Sequence, residues 1–183
     1  SHSDVVICEH TTEVQHVDMS QQGDFVASAS FSGEVFVTNA ENNRTLIELH
    51  EDSMITGLRF VERQRIRRDS SGPVKVDFRL ATTTTDGILA LYNARGEAIF
   101  RDRKEFNFRC LEAMGNALVT GGTDGFIRCW SESNGEEMQW QEANGKDVAD
   151  MVTCLRAQHG GQYLMAGTAG GKICYWTVKQ IHF

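Results

Sequence analysis

The chain alternates short apolar runs with turns, and nowhere does it sustain the spacing of an amphipathic helix. Its clearest unit extends from Leu118 to Trp130: an apolar run into small residues, an Asp-Gly pair, and an alternating run that ends on tryptophan. Asp-Gly between two such runs predicts a β-hairpin, because the tight turn needs positive φ and Gly adopts it without strain. The pattern therefore predicts an all-β fold.

The same hairpin occurs four times along the chain. The turn glycines of the four copies are separated by 54, 38 and 46 residues, and they are Gly33, Gly87, Gly125 and Gly171. The strand after each glycine is apolar on both faces, which is typical of a sheet sandwiched between neighbouring sheets. Four short strands in roughly 40–45 residues are the signature of a β-propeller blade, so we predict a propeller-like stack.

The repeats divide the chain into an isolated outer strand and four blades, each a sheet of four antiparallel strands. The predicted ranges are 4–9 for the outer strand, 10–50 for blade 1, 51–100 for blade 2, 101–142 for blade 3 and 143–183 for blade 4. Blade 2 contains an insert of about 13 residues within 61–77, which holds the only proline, Pro73. Long loops in compact domains are usually functional or disordered, so the insert is a candidate partner-specific element.

Composition and charge argue against several classes of protein. The chain has 183 residues, of which 40% are hydrophobic, and a net charge of −7, which argues against a dedicated nucleic-acid binder because affinity for phosphate needs a basic face. It has no apolar run long enough to span a bilayer, and we expect a soluble protein of the cytoplasm or nucleus. Its five cysteines lie in predicted strands without metal-ligand spacing, so we expect buried, reduced thiols.

The segment from His10 to Ser30 resembles the WD40 β-propeller family: a His, a three-residue gap, an apolar strand, a Ser-x-x-Gly turn and a strand of small residues. Other repeats add Asp-Gly turns and terminal aromatic residues, and the resemblance covers about residues 5–177. It implies blades tied by a hydrogen-bonded set of His, Ser or Thr, Asp and Trp. The motif residues present are His10, Gly33, His50, Asp86, Gly87, Tyr92, Asp124, Gly125, Trp130, Gly171 and Trp176.

No repeat retains the whole set. Ser32 and Thr38 stand at the Asp and Trp positions of the first repeat, Lys104 at the His position of the third, and Gly170 at the Asp position of the fourth. Family members usually have seven blades, so we expect a partial propeller or a fragment of a larger one, completed by missing residues or a second chain. Closure into a ring of four blades, with 4–9 as the last outer strand, is the alternative. An open arc would expose sheet faces that invite partners.

Two basic stretches are candidate partner-binding sites on this acidic chain. They are Arg63, Arg65, Arg67 and Arg68 in the insert, and Arg101, Arg103 and Lys104 between blades 2 and 3. Either stretch can dock an acidic peptide or surface, or can be a solvated segment that only preserves solubility. A group of glutamates is interpreted as surface solvation: Glu41, Glu132, Glu136 and Glu137.

The histidines lack metal-ligand spacing and no serine lies in a nucleophile elbow, so we predict no catalytic, metal or cofactor-binding residue. The resemblance implies a non-enzymatic WD-repeat scaffold for protein–protein interactions within a larger assembly. Three alternatives stay open: a reader of phosphorylated or methylated peptides, a propeller enzyme, and a nucleic-acid binder.

Overall fold

A computed structural model describes residues 5–62, 78–140, 144–158 and 161–177. These ranges contain antiparallel sheets joined by turns and no helix, and hence no helix that could cross a membrane. The all-β prediction is confirmed. The basic insert, with Arg63, Arg65, Arg67 and Arg68, lies outside the described residues.

Four sheets follow one another along the chain, and we name them blades 1 to 4. Blade 1 contains β1 (Val14–Met19), β2 (Phe25–Ser30), β3 (Glu34–Asn39) and β4 (Thr45–His50). Blade 2 contains β5 (Ile55–Glu62), β6 (Phe78–Thr84), β7 (Ile88–Tyr92) and β8 (Ala98–Arg103). Blade 3 contains β9 (Phe108–Met114), β10 (Ala117–Gly122), β11 (Phe126–Ser131), β12 (Glu137–Met138) and β13 (Lys146–Asp147). Blade 4 contains β14 (Val152–Gln158), β15 (Tyr163–Thr168) and β16 (Ile173–Thr177).

Strands pair in chain order within each blade, as in an up-and-down meander. In blade 3, β12 and β13 both pair with β11, so that two short strands share the outermost position. The first strands β1, β5, β9 and β14 contact one another in that order, so the blades stack side by side. This arrangement confirms the prediction of propeller blades.

The core lies between the blades rather than within one large sheet sandwich. Three apolar clusters fill the three junctions, from blade 1 against blade 2 to blade 3 against blade 4. Small residues let the sheets approach closely: a Cβ on Gly57 would lie 2.3 Å from the Cβ of Leu111, and one on Gly121 would lie 2.4 Å from Cγ1 of Val152. Each blade therefore shields its neighbour from water.

The turn glycines also hold the connection to the next blade. Gly33 and Gly87 both have a φ of 92°, as the hairpin prediction requires. A Cβ on Gly33 would lie 2.1 Å from the carbonyl oxygen of Glu51, and one on Gly87 would lie 2.5 Å from that of Lys104. The segment entering the following blade thus crosses directly over the turn, where only glycine fits.

The structure differs from the predicted ranges at three places. β13, in the range predicted for blade 4, pairs with β11 of blade 3. Residues 5–10 form no strand; Cys8 and His10 instead contact Ser28 of blade 1, and the Cys8 sulfur is 3.8 Å from Ser28 Oγ. A strand needs a neighbouring edge to pair with, and this segment is held by side-chain contacts instead. The fourth strand of blade 2 also extends to Arg103, beyond the predicted end of the blade.

The five cysteines are free thiols, as expected, but they are not all buried. Cys110 and Cys129 lie in the blade 3 and 4 junction, and burial raises the pKa of each thiol to about 12. Cys154 is exposed, because its side of β14 faces away from blade 3. The expectation of burial is therefore wrong for Cys154.

Candidate functional site: the open ends of the blade stack

The four repeats allow the same position to be compared in four environments. The first two strands of each blade pair with an irregularity near one end of the ladder, which aligns Val17, Leu58, Leu111 and Leu155. Val17 is 65% exposed, whereas Leu58, Leu111 and Leu155 are 1%, 3% and 5% exposed. The position is covered wherever a preceding blade exists, and blade 1 has none among the described residues.

Three apolar side chains of β1 share this exposure. We name Val14, Val17 and Met19 the start face. Their counterparts in blade 2 are Ile55, Leu58 and Phe60, all of which are buried against blade 1. The start face therefore has the side chains of an inter-blade contact without the blade that would cover it.

Blade 4 shows the reciprocal pattern on its opposite side. Ile173 is 84% exposed, whereas Val35, Leu89 and Ile127 at the same distance from their turn glycines are fully buried. Tyr175 is also exposed and stacks on Tyr163, with ring centroids 5.7 Å apart. We name Met165, Ile173 and Tyr175 the end face, since all three are exposed.

A row of alternating charge crosses the blades next to these faces. The residue after the Val17 position is Asp18 in blade 1, Arg59 in blade 2, Glu112 in blade 3 and Arg156 in blade 4. We name these four residues the charge row. In the sequence, each of these residues directly follows the aligned apolar residue of its first strand.

Contacts within the charge row join one blade to the next. The Phe60 backbone N–H donates to Asp18 Oδ2 at 2.8 Å, and the Ala157 N–H donates to Glu112 Oε2 at 3.1 Å. Arg59 Nε lies 3.4 Å from Glu112 Oε1. Arg156, in the last blade, is exposed beside the end face and lies 4.0 Å from Glu112.

The predicted basic residues between blades 2 and 3 are engaged in contacts within the chain. Arg101 donates to the buried Glu51 carboxylate, with 2.6 Å between Nη2 and Oε2. Lys104 donates to the carbonyl of Gly135 at 2.8 Å and lies over the Trp130 ring, 5.1 Å from its centroid. Arg103 pairs with Asp86 at 2.9 Å but remains largely exposed, so its guanidinium is the most accessible of the three.

The motif aspartates support the turns and the next connection. Asp86 accepts hydrogen bonds from Ser53 and Thr84, which together with Arg103 lower its pKa to about 2. Asp124 forms a two-bond pair with the buried Arg128, whose guanidinium lies 3.5 Å from the centroid of the Phe106 ring. Both carboxylates are thus held in the ionised form by structural contacts.

The motif aromatics anchor their blades in three different ways. Trp130 Nε1 donates to Thr120 Oγ1 at 2.8 Å, and Tyr92 donates its hydroxyl to Glu51 at 3.0 Å. Trp176 packs edge-on against Trp140, with centroids 5.4 Å apart. Lys104, in the connection between β8 and β9, lies over the Trp130 ring, at the repeat position where the family resemblance implies His.

His10 forms the hydrogen bond that the family resemblance implies, whereas His50 lies exposed at the end of β4. His10 Nε2 is 2.7 Å from Ser28 Oγ, its Nδ1 is 3.4 Å from Glu34 Oε2, and its ring stacks on Phe36. The order Ser, His, Glu is that of a hydrolase triad. Ser28, however, is buried, and His10, Thr11 and Thr12 all bond to blade 1, so these contacts fasten the segment to the blade.

Two of the four glutamates expected on the solvated surface lie beside arginines instead. Glu137 is partly buried, and its Oε1 lies 3.8 Å from Arg128 Nε. Glu132 is buried and lies 3.6 Å from Arg79 of blade 2. The pair explains the burial, because a carboxylate leaves water only when it gains a charged partner. Among the described residues, no group of three or more His, Cys, Asp or Glu side chains is arranged to hold a metal ion.

Comparison with protein families agrees with this architecture. Residues 3–39 match the model for the WD domain, G-beta repeat. The first repeat is similar to a WD40 repeat. The match covers the N-terminal segment, the turn at Gly33 and the third strand of blade 1, including His10. No curated protein sequence matches the chain.

Solved structures share the fold of the first repeat and the blades that follow it. The designed Ika4 protein has a TM-score of 0.75 at 17% identity, over 97% of this chain and 98% of its own. The designed Ika8 protein has a TM-score of 0.70 at 21% identity, over 92% of this chain and 47% of its own. A chain in the crystal structure of BBS1N in complex with ARL6DN has a TM-score of 0.64 at 11% identity, over 88% and 50%. This chain therefore spans about half the length of the latter two.

Proposed function

We propose that this chain is a non-enzymatic scaffold that binds other proteins through the open ends of its blade stack. The observation that carries the proposal is the contrast at one repeat position: Val17 is exposed where Leu58, Leu111 and Leu155 are buried. Contiguous exposed apolar surface of this kind marks protein-interaction sites. WD40 repeats are in general found in protein-interaction scaffolds, which agrees with this reading.

The use of the ionisable residues supports a structural role for the blades. Glu51, Asp86 and Glu112 each bind a partner from another strand or connection: Arg101, Ser53 and the Ala157 N–H respectively. Groups held in this way position backbone rather than meet a substrate. Exposed apolar faces on a framework of this kind favour a role in binding other proteins.

We further propose that Arg103 and the insert arginines form two separate basic sites, each of which docks an acidic peptide or surface. Arg103 projects from the last strand of blade 2 with most of its side chain in solvent. Exposed basic groups on an acidic chain orient acidic partners and raise association rates more than they raise affinity. The five free thiols suit a reducing compartment, and we place the protein in the cytoplasm or nucleus.

The experiment is capture of bound protein from lysate by the immobilised chain, followed by mass spectrometry. Val17→Glu and Ile173→Glu each place a carboxylate on one open face, and Phe31→Glu is the matched control, since Phe31 is exposed on a turn. We expect wild type and control to retain a specific set of proteins that both face variants lose. Copies of this chain count as members of that set. Equal retention by all four baits would contradict the proposal.

A further inference from the structure

We propose that the partner of the open ends is a second copy of this chain, and that two copies close head to tail into one ring. The end face of each copy covers the start face of the other, at two identical junctions. The inference rests on the proposed function, because it names the occupant of the same two surfaces. Four blades from each copy give a ring of about eight blades, within the range of known propellers.

Surface shape is the first argument. In every internal junction the residues that follow a turn glycine pack on the first strand of the next blade. Val35 and Val37 of blade 1 cluster with Leu58 of blade 2, and Ile127 and Cys129 of blade 3 cluster with Leu155 of blade 4. Ile173 and Tyr175 of the end face occupy the former positions, and the start face occupies the latter. The two open faces of this chain are thus the two halves of the junction that the chain already forms three times.

Charge is the second argument, and it is independent of the apolar residues. The charge row alternates from acid to base through the four blades, with Arg156 last. In the junction between blades 2 and 3, Arg59 meets an acid, Glu112, at 3.4 Å. The same pattern predicts an acidic residue at the equivalent position of the blade that follows Arg156. In a second copy, that residue is Asp18. An unrelated occupant need not carry a carboxylate at that position.

The path of the stack is the third argument. Contacts between first strands run from blade 1 to blade 4, and the start face and the end face are both exposed, so one copy forms an open arc. The arc also fits slightly less than half of a longer designed propeller chain. Two arcs related by a twofold axis leave no open end, whereas head-to-tail contacts that do not close would produce filaments.

The first test is the molar mass of the purified chain by size exclusion with light scattering. The chain has a mass of 20.4 kDa, and we expect the wild type to have twice that mass. Val17→Glu and Ile173→Glu are expected to give monomers, since each disrupts both junctions of a symmetric pair. Phe31→Glu, outside both faces, is expected to remain a dimer. Far-ultraviolet circular dichroism verifies that all variants are folded, as the exposure of the three side chains predicts.

The second test is an equimolar mixture of the Val17→Glu and Ile173→Glu chains at the concentration where wild type is dimeric. Head-to-tail pairing predicts recovery of a one-to-one dimer, because the intact end face of the first variant meets the intact start face of the second. A pair formed by two start faces would instead survive Ile173→Glu alone, and no recovery would appear on mixing. Either of these results overturns the proposal.

A wild-type chain that is monomeric, or that forms a series of larger species, also overturns the closed ring. The proposed function is judged separately. A monomer that still retains another protein through Val17 and Ile173 refutes the proposal that a second copy is the partner, but it supports the proposed scaffold function. If the chain binds neither a second copy nor another protein, both the closed ring and the proposed scaffold function are refuted.

Discussion

Replacement of Arg101 by Ala is expected to destabilise the fold far more than replacement of Arg103 by Ala. The two arginines lie two residues apart on β8, so their side chains leave the same face of the strand. Arg101 donates to Glu51 through Nη2 at 2.6 Å and through Nε at 3.3 Å. Arg103 pairs with Asp86, a carboxylate that is one-third exposed.

The magnitude follows from the carboxylate that each substitution leaves behind. Glu51 is only 4% exposed, and a buried ion that loses its partner costs about 3–5 kcal/mol. Tyr92 continues to donate to Glu51, and Arg101 itself is partly in solvent, so we expect a loss of about 2–3 kcal/mol in the free energy of unfolding. An exposed pair contributes about 0–1 kcal/mol, which is the loss expected for Arg103→Ala.

Urea unfolding monitored by tryptophan fluorescence measures both losses. The same substitutions in a Glu51→Gln background complete a double-mutant cycle, because the neutral amide leaves no buried charge without a partner. Arg101→Ala is expected to cost much less there, while the small cost of Arg103→Ala is unchanged. If the two arginine variants differed by less than about 0.5 kcal/mol in the wild-type background, burial of Glu51 would not be the deciding factor.

Three further predictions concern the turns, a junction histidine and a motif tryptophan. Gly87→Ala is expected to give a much lower urea midpoint than Gly171→Ala. Both glycines have a φ near 90°, but only at Gly87 would the new Cβ collide with another atom, the Lys104 carbonyl oxygen. Equal midpoints for the two variants would refute this. Burial lowers the pKa of His16 below its ordinary value of 6.5. Folding therefore favours the neutral form of His16, and the stability of the fold should decrease as the pH falls below 6.5. Thermal midpoints measured across pH test this, and His16→Gln is expected to lose this pH dependence. Trp130→Phe removes the hydrogen bond to Thr120 and is expected to cost about 1–3 kcal/mol in urea unfolding, with Phe126→Leu, a partly exposed aromatic, as the smaller reference.

The sequence by itself determined the strands, the hairpins and their repetition. A tight turn needs positive φ at one residue, and the alternation of a strand is written in consecutive residues, so both are local properties. Gly33 and Gly87 accordingly have a φ of 92°, Tyr92 is the last residue of β7, and Trp130 lies next to the end of β11. For the same reason the all-β class followed without any knowledge of contacts.

Only the tertiary structure decided which faces are covered and which charges are free. Arg101 and Arg103 look alike in the sequence, and the difference between them is Glu51, a residue of the preceding connection. The exposure of Val17 and Ile173 likewise depends on whether another blade lies beside them, not on their own neighbours in the chain. Burial is a property of the stack, because the surface that removes a side chain from water comes from a different repeat or a different molecule.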